Sequence, residues 1–135
     1  MALRETKVNS ERLLMLASHL DSLSKDQWDY TKFVVTDNND VLLRGDALGH
    51  CSTLWPDEFY IKNGQLYSKE GSRNPIHHAT EFFDITLITC LNLFGLHHAV
   101  DYFGTEDITH QMVAGKIRSL INNMKSDTTD EMSTL

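Results

Sequence analysis

The chain has little of what most often marks a function. It carries two cysteines and two prolines in 135 residues, too few for a disulfide-stapled scaffold or a proline-rich linker. Its apolar runs, such as Phe33-Val34-Val35, are only a few residues long. A membrane-spanning helix needs roughly 20, so no membrane partner is expected. The opening Met1-Ala2-Leu3-Arg4-Glu5-Thr6-Lys7 has no apolar stretch of the kind a secretory signal requires. That predicts a cytoplasmic protein with Cys51 and Cys90 as free thiols. Cations are also scarce: 12 Lys and Arg stand against 19 Asp and Glu, a net charge of -7. The basic residues are scattered, and affinity for nucleic acid comes from neutralising phosphates with cations, so no nucleic acid is expected as a partner. Neither G-x-x-x-x-G-K nor G-x-G-x-x-G occurs, which removes the phosphate-cradling loops. The metal spacings H-x-x-x-H, C-x-x-C and H-E-x-x-H are missing too. Asp37-Asn38-Asn39-Asp40 offers oxygen ligands without the glycine and spacing of a calcium loop, and reads as a turn. No cofactor is expected.

What is present is an ordinary globular composition, 41% apolar and 23% charged. A chain of this length buries roughly two thirds of its unfolded surface, and one domain is expected. The patterning predicts a mainly helical α+β fold of about five helices and two small β-hairpins. Residues 1–8 read as a flexible N-terminus, 9–124 as a single globular domain and 125–135 as a disordered polar tail. Leu13, Leu16, Ala17, Leu20 and Leu23 recur at helical spacing, predicting a helix from Ser10 to Leu23 capped by Asn9 or Ser10. Phe33–Thr36 and Val41–Arg44 flank the Asp37–Asp40 turn. Phe59–Lys62 and Gln65–Tyr67 flank Asn63-Gly64, the strongest two-residue hairpin signal because both central positions of its turn need positive φ. A short helix from Asp46 to Trp55, capped by Asp46 and stopped by Pro56, lies between them. Asn74-Pro75 starts a helix to Phe83, with proline at the first position where its missing N–H is harmless. Thr86 caps Leu87–Phe94, with Gly95 just past its end. The last helix runs from about Thr109 to Met124 on a stripe of Met112, Val113, Ile117, Leu120 and Ile121.

Candidate chemistry concentrates in histidine and cysteine. His77-His78-Ala79-Thr80-Glu81-Phe82-Phe83 is echoed by His97-His98-Ala99-Val100-Asp101-Tyr102-Phe103, a repeat too short for a solenoid. Neighbours on a helix point about 100° apart, so each histidine pair could give only one ligand to a shared ion, leaving His78 and His98 as weak metal candidates. Gly49-His50-Cys51 is similar to the nucleophile segment of bacterial transglutaminase-like enzymes. A transglutaminase-like or papain-like Cys-His hydrolase or transferase would use Cys51 as nucleophile, His77 or His78 as base and Asp84 to orient it. Two features oppose that assignment. The histidines follow a helix start rather than lying on a strand, and Cys51 sits beyond the first helical turn, where the dipole that would favour a thiolate has faded. The aromatics Trp28, Tyr30, Trp55, Phe59, Tyr60 and Tyr67 read as core and cross-strand partners.

Three segments in order carry a resemblance. They are Ala47-Leu48-Gly49-His50 followed by Trp55-Pro56, Ala79–Thr86 leading to Leu93-Phe94, and Ile108-Thr109 followed by Val113-Ala114-Gly115-Lys116-Ile117-Arg118. The arrangement resembles a loose group of small uncharacterised proteins from bacteriophages and bacterial genomes, whose pattern is Cys-Ala-x-Gly-His, an aromatic-Pro pair, an aromatic-rich helix and a Thr-capped last helix. Asp46 stands where the group has cysteine, and Asp84 where it usually has glycine. The resemblance implies a small phage accessory protein in a bacterial cytoplasm. With the size, the acidic balance and the incomplete catalytic set, it favours a protein that binds and inhibits a host protein, a defence or regulatory factor, without catalysis. The alternatives are the Cys51 enzyme and a structural, virion-associated protein. The oligomeric state stays open.

Overall fold

The computed structural model describes residues 2–69, 71, 75–94, 103–104 and 107–133. Among them the chain forms five α-helices and two antiparallel hairpins. In order these are α1 (Ala2–Asp21), β1 (Val35–Thr36), β2 (Leu42–Arg44), α2 (Ala47–Leu54), β3 (Phe59–Lys62), β4 (Gln65–Ser68), α3 (Pro75–Phe83), α4 (Leu87–Phe94) and α5 (His110–Ser133), with a short 3-10 turn at Lys25–Gln27. This is the mixed, mainly helical α+β architecture expected from the patterning.

The longest seam joins α1 to α5. Leu13, Leu16, Ala17 and Leu20 on α1 are fully buried, as are Val113, Ala114 and Ile117 on α5. Each fully buried Leu or Ile contributes about 1.5–3 kcal/mol from water exclusion alone. The seam closes on polar contacts: His110 Nδ1–H donates to the Leu20 carbonyl at 2.7 Å, and Arg118 pairs with Asp21. Thr109 caps α5, its Oγ1 accepting from the Met112 amide at 3.1 Å.

Both long helices overrun their expected bounds. Helix α1 begins at Ala2, so Asn9 and Ser10 lie inside it rather than at its cap, and it ends at Asp21 rather than Leu23. Helix α5 continues past Met124, so the stretch read as a disordered tail is helical over Lys125–Ser133. Residues 2–9 contain no glycine or proline, and none follows Gly115, so nothing local interrupts either helix.

The hairpins form where the turn residues placed them. Asp37 Oδ1 accepts from the Asn39 and Val41 amides at 2.8 and 3.0 Å, holding the first turn. Asn63 and Gly64 take φ of 52° and 73°, the positive values a type I′ turn demands. Tyr60 and Tyr67 stack across the second hairpin at 5.5 Å. The two turns are also clamped together. The Asp40 carboxylate accepts from the Asn63 amide at 3.1 Å and the Gly64 amide at 2.8 Å.

Helix α3 places Phe82 and Phe83 edge-on to Trp55 at 4.9 and 5.6 Å. It ends at Phe83, and the next residue, Asp84, has a φ of 53°, the left-handed conformation that commonly follows a helix end. Thr86 caps α4 by accepting from the Thr89 amide at 3.2 Å. The Asn74 and Gly95 assignments lie outside the described residues. No helix among the described residues is long and apolar enough to cross a membrane.

Candidate functional site

The most constrained part of the molecule is the start of α2, where the chain from Gln27 to Val34 crosses over it. Trp28 and Gly45 form an isolated parallel bridge. The Asp29 amide donates to the Gly45 carbonyl at 3.0 Å, and the Asp46 amide to the Lys32 carbonyl at 3.0 Å. Trp28 Nε1–H reaches the Ile108 carbonyl at 2.8 Å and ties the same strand of chain to the approach of α5. Asp46 caps α2, its Oδ1 accepting from the Gly49 amide at 2.9 Å. Phe33 then passes so close to α2 that a Cβ on Gly49 would collide with its carbonyl oxygen and stand 2.8 Å from its carbonyl carbon. The glycine of Ala47-Leu48-Gly49-His50 is therefore required by a backbone crossing, with no part in nucleophile chemistry needed to explain it.

Cys51 lies behind this crossing and is 0% exposed. Its thiol donates to the Ala47 carbonyl at 3.4 Å. Burial, with Asp46 and Cys90 nearby, holds the thiol well above its usual pKa, so thiolate is scarce at neutral pH. Cys90 is also buried and free, its thiol pushed up to about 11 by desolvation. The imidazole next to Cys51 in sequence points elsewhere. His50 Nε2–H donates to the Gln27 carbonyl at 2.8 Å, which leaves Nδ1 as an acceptor, 3.4 Å from His19 Nε2. Burial lowers the pKa of both imidazoles. For His50 the Gln27 carbonyl partly offsets this, and the nearby His19 and His110 add to it.

The other residues of the sequence-derived site are dispersed. His77 is exposed on α3. His78 is buried, 3.4 Å from Glu58 Oε2 and edge-on to Phe59 at 5.2 Å. Glu58 also meets Lys69 at 3.5 Å. Asp84 is an exposed residue just past the end of α3. His98 lies outside the described residues. The carboxylate beside His78 is thus Glu58, which no motif singled out. Among the described residues no group of three or more His, Cys, Asp and Glu could hold a metal ion.

A concave feature lies at the crossing. A cavity of about 160 Å³ opens between Tyr30, Thr31, Lys32 and Phe33 on one side and Asp46, Ile76 and Phe94 on the other. Its walls come from the loop before β1, the cap of α2, and helices α3 and α4. Asp46 is only 4% exposed. Burial pushes its carboxyl well above the usual range. The Gly49 and Leu48 amides partly offset that, and the neighbouring Asp29 reinforces it. Three aromatics and Ile76 line this hollow together with Thr31, Lys32 and Asp46, so an acidic and a basic residue share its lining. Asp46 was legible as a helix cap. The hollow was not, because its walls are assembled from residues up to 64 positions apart, Tyr30 to Phe94. No protein-family model, curated protein or solved structure matches this chain.

Proposed function

We propose that the protein is a small acidic accessory protein that binds a partner protein and blocks it without catalysis. In the phage setting implied by its sequence resemblance, the partner is a host defence or regulatory factor in the bacterial cytoplasm. The observation that carries this reading is the outer side of the first hairpin. Val41 and Leu43 are 54% and 48% exposed, two residues apart, with the half-buried Leu42 between them. Residues i and i+2 of an extended segment share one face, so an apolar pair is turned to water on a short hairpin. Beside β1, a hollow of about 250 Å³ lined by Phe33, Val34, Gly64, Gln65 and Leu66 separates the two hairpins. Apolar side chains presented on a short strand beside a groove suit a partner better than solvent. The Cys51 enzyme draws no support from a thiol that is sealed, protonated and without an imidazole aimed at it.

The test is capture from a bacterial lysate on the immobilised full chain, followed by a titration with the purified captured protein. A Val41→Asp/Leu43→Asp variant with an unchanged melting temperature should bind at least about tenfold more weakly, the scale of losing one central apolar contact. Unchanged affinity in that variant, or no saturable binder, sinks the reading.

A further inference from the structure

Two imidazoles from different helices meet beside the crossing. We propose that His19 and His50 bind a divalent cation of the zinc class, which would join the last turn of α1 to α2. Three observations carry this. The first is a fixed lone pair. His50 Nε2–H donates to the Gln27 carbonyl at 2.8 Å, and that carbonyl also accepts from the Gly45 amide at 3.2 Å. A metal-ligating histidine typically gives its other ring N–H to such an acceptor, which fixes its tautomer and orientation. His50 Nδ1 is thereby left as an acceptor facing His19. The second observation is spacing. His50 Nδ1 and His19 Nε2 stand 3.4 Å apart, beyond the usual range of about 2.7–3.2 Å for a nitrogen donor. Two nitrogens on one tetrahedral zinc, each about 2.0–2.1 Å from the ion, stand about 3.3–3.4 Å apart. A square-planar or octahedral ion would bring neighbouring nitrogens to about 2.9 Å. The third is ring direction. The two ring centroids are 5.3 Å apart. Imidazoles aimed head-on at this nitrogen separation would have centroids about 5.7 Å apart, whereas two rings on one tetrahedral zinc would have them about 5.2 Å apart. Both separations match a shared ion better than a direct hydrogen bond. Nitrogen ligands select zinc and its neighbours over magnesium and calcium, which take oxygen. His19 is half-buried, so the ion can enter from solvent, and the positions the pair does not fill go to water. Burial lowers the pKa of both imidazoles, which keeps them unprotonated and able to ligate at neutral pH. The two residues lie 31 positions apart on separate helices, so no spacing motif contains them.

The full chain, first stripped of metal with a chelator, would be titrated with zinc chloride and with magnesium chloride in a non-coordinating buffer. Calorimetry would read affinity, and imidazole 15N shifts would locate the ion. Saturable zinc binding is expected, with a rise in Tm by linkage and no response to magnesium. The shifts should be largest at His50 Nδ1 and His19 Nε2, the two nitrogens that face each other. His19→Gln removes one ligand at a half-buried position and should weaken zinc at least about tenfold, the smallest loss usual for disturbing a ligand. A His77→Gln/His97→Gln/His98→Gln variant leaves the pair intact and should keep the wild-type affinity. The inference is overturned by no saturable zinc binding, by magnesium binding as tightly, by wild-type affinity in His19→Gln, or by lost affinity in the triple variant. Zinc-induced shifts centred on any other histidine overturn it too. The 15N shifts on the wild-type chain decide the matter even if His19→Gln folds poorly.

Discussion

The α1–α5 seam and the crossing over α2 are held by different physics. The seam is a continuous apolar contact: Leu13, Leu16, Leu20, Val113 and Ile117 are buried with aliphatic neighbours, and polar contacts enter at its end. The crossing is the reverse. Backbone bonds from Asp29, Gly45 and Asp46 hold it, two glycines, Gly45 and Gly49, make room for it, and titratable groups, Asp46 and His50, are buried at it. A seam of the first kind tolerates hydrophobic exchange and loses stability in proportion to volume removed. A crossing of the second kind responds to single atoms and to protons. Stability should therefore be concentrated in the seam and site-building specificity in the crossing.

The largest expected effect lies in the seam. Leu16→Ala leaves a cavity where a side chain was fully buried and should cost about 2–5 kcal/mol in urea melts. A loss below about half a kilocalorie per mole, the scale of an exposed change, would remove the seam from its place as the main source of stability. Gly49→Ala should come next, at about 2 kcal/mol, the range of overpacking a tight contact. Its sign makes the test sharp. Helix propensity alone favours alanine by about 1 kcal/mol, so a net loss identifies the collision with the Phe33 carbonyl, and a net gain would mean that the loop yields.

These two regions were unequally legible. The seam was written in the spacing of Leu13, Leu16 and Leu20 and of Val113 and Ile117, because a helical stripe is a local pattern with a fixed period. The Asp46 and Thr86 caps and the Asn63-Gly64 turn were legible for the same reason. The ends of α1 and α5 were not, since polar residues without glycine or proline leave a helix free to continue. The crossing left only a trace, the glycine of Ala47-Leu48-Gly49-His50, whose local likeness to a nucleophile segment pointed to chemistry. The structure explains it by the carbonyl of a residue 16 positions earlier, Phe33. The Asp40 clamp on the second turn, the Glu58–His78 contact and the walls around Asp46 are likewise pairings between distant segments, which no periodicity encodes.

Protons should separate the regions further. His19 and His50 have lowered pKa values in the folded chain, whereas in the unfolded chain they titrate near 6.5. As pH falls through that value the unfolded state takes up protons that the folded state resists, so the stability these groups contribute is present above about 6.5 and lost below it. Replacing both, His19→Gln with His50→Gln, should make the variant gain on the wild type progressively as pH drops from 7 toward 5. Urea midpoints read at each pH would show it, and parallel curves for the two proteins would reject it.

The effect most specific to the crossing belongs to Asp46. Its folded pKa is raised above the ordinary 3.8, so the folded chain keeps this proton to a higher pH than the unfolded one. The contribution is complete below 3.8 and is lost as pH rises through the raised value, a slope opposite to that of the histidines. In the wild type the two trends oppose each other between about pH 4 and 6.5, which flattens the profile. Asp46→Asn preserves an acceptor for the Gly49 amide and has no proton to lose. Its stability relative to the wild type should therefore climb as pH rises from 4, whatever constant offset the amide introduces. If the difference between the two proteins is the same at every pH, Asp46 titrates alike in the folded and unfolded chains, and the crossing then owes its character to backbone geometry alone.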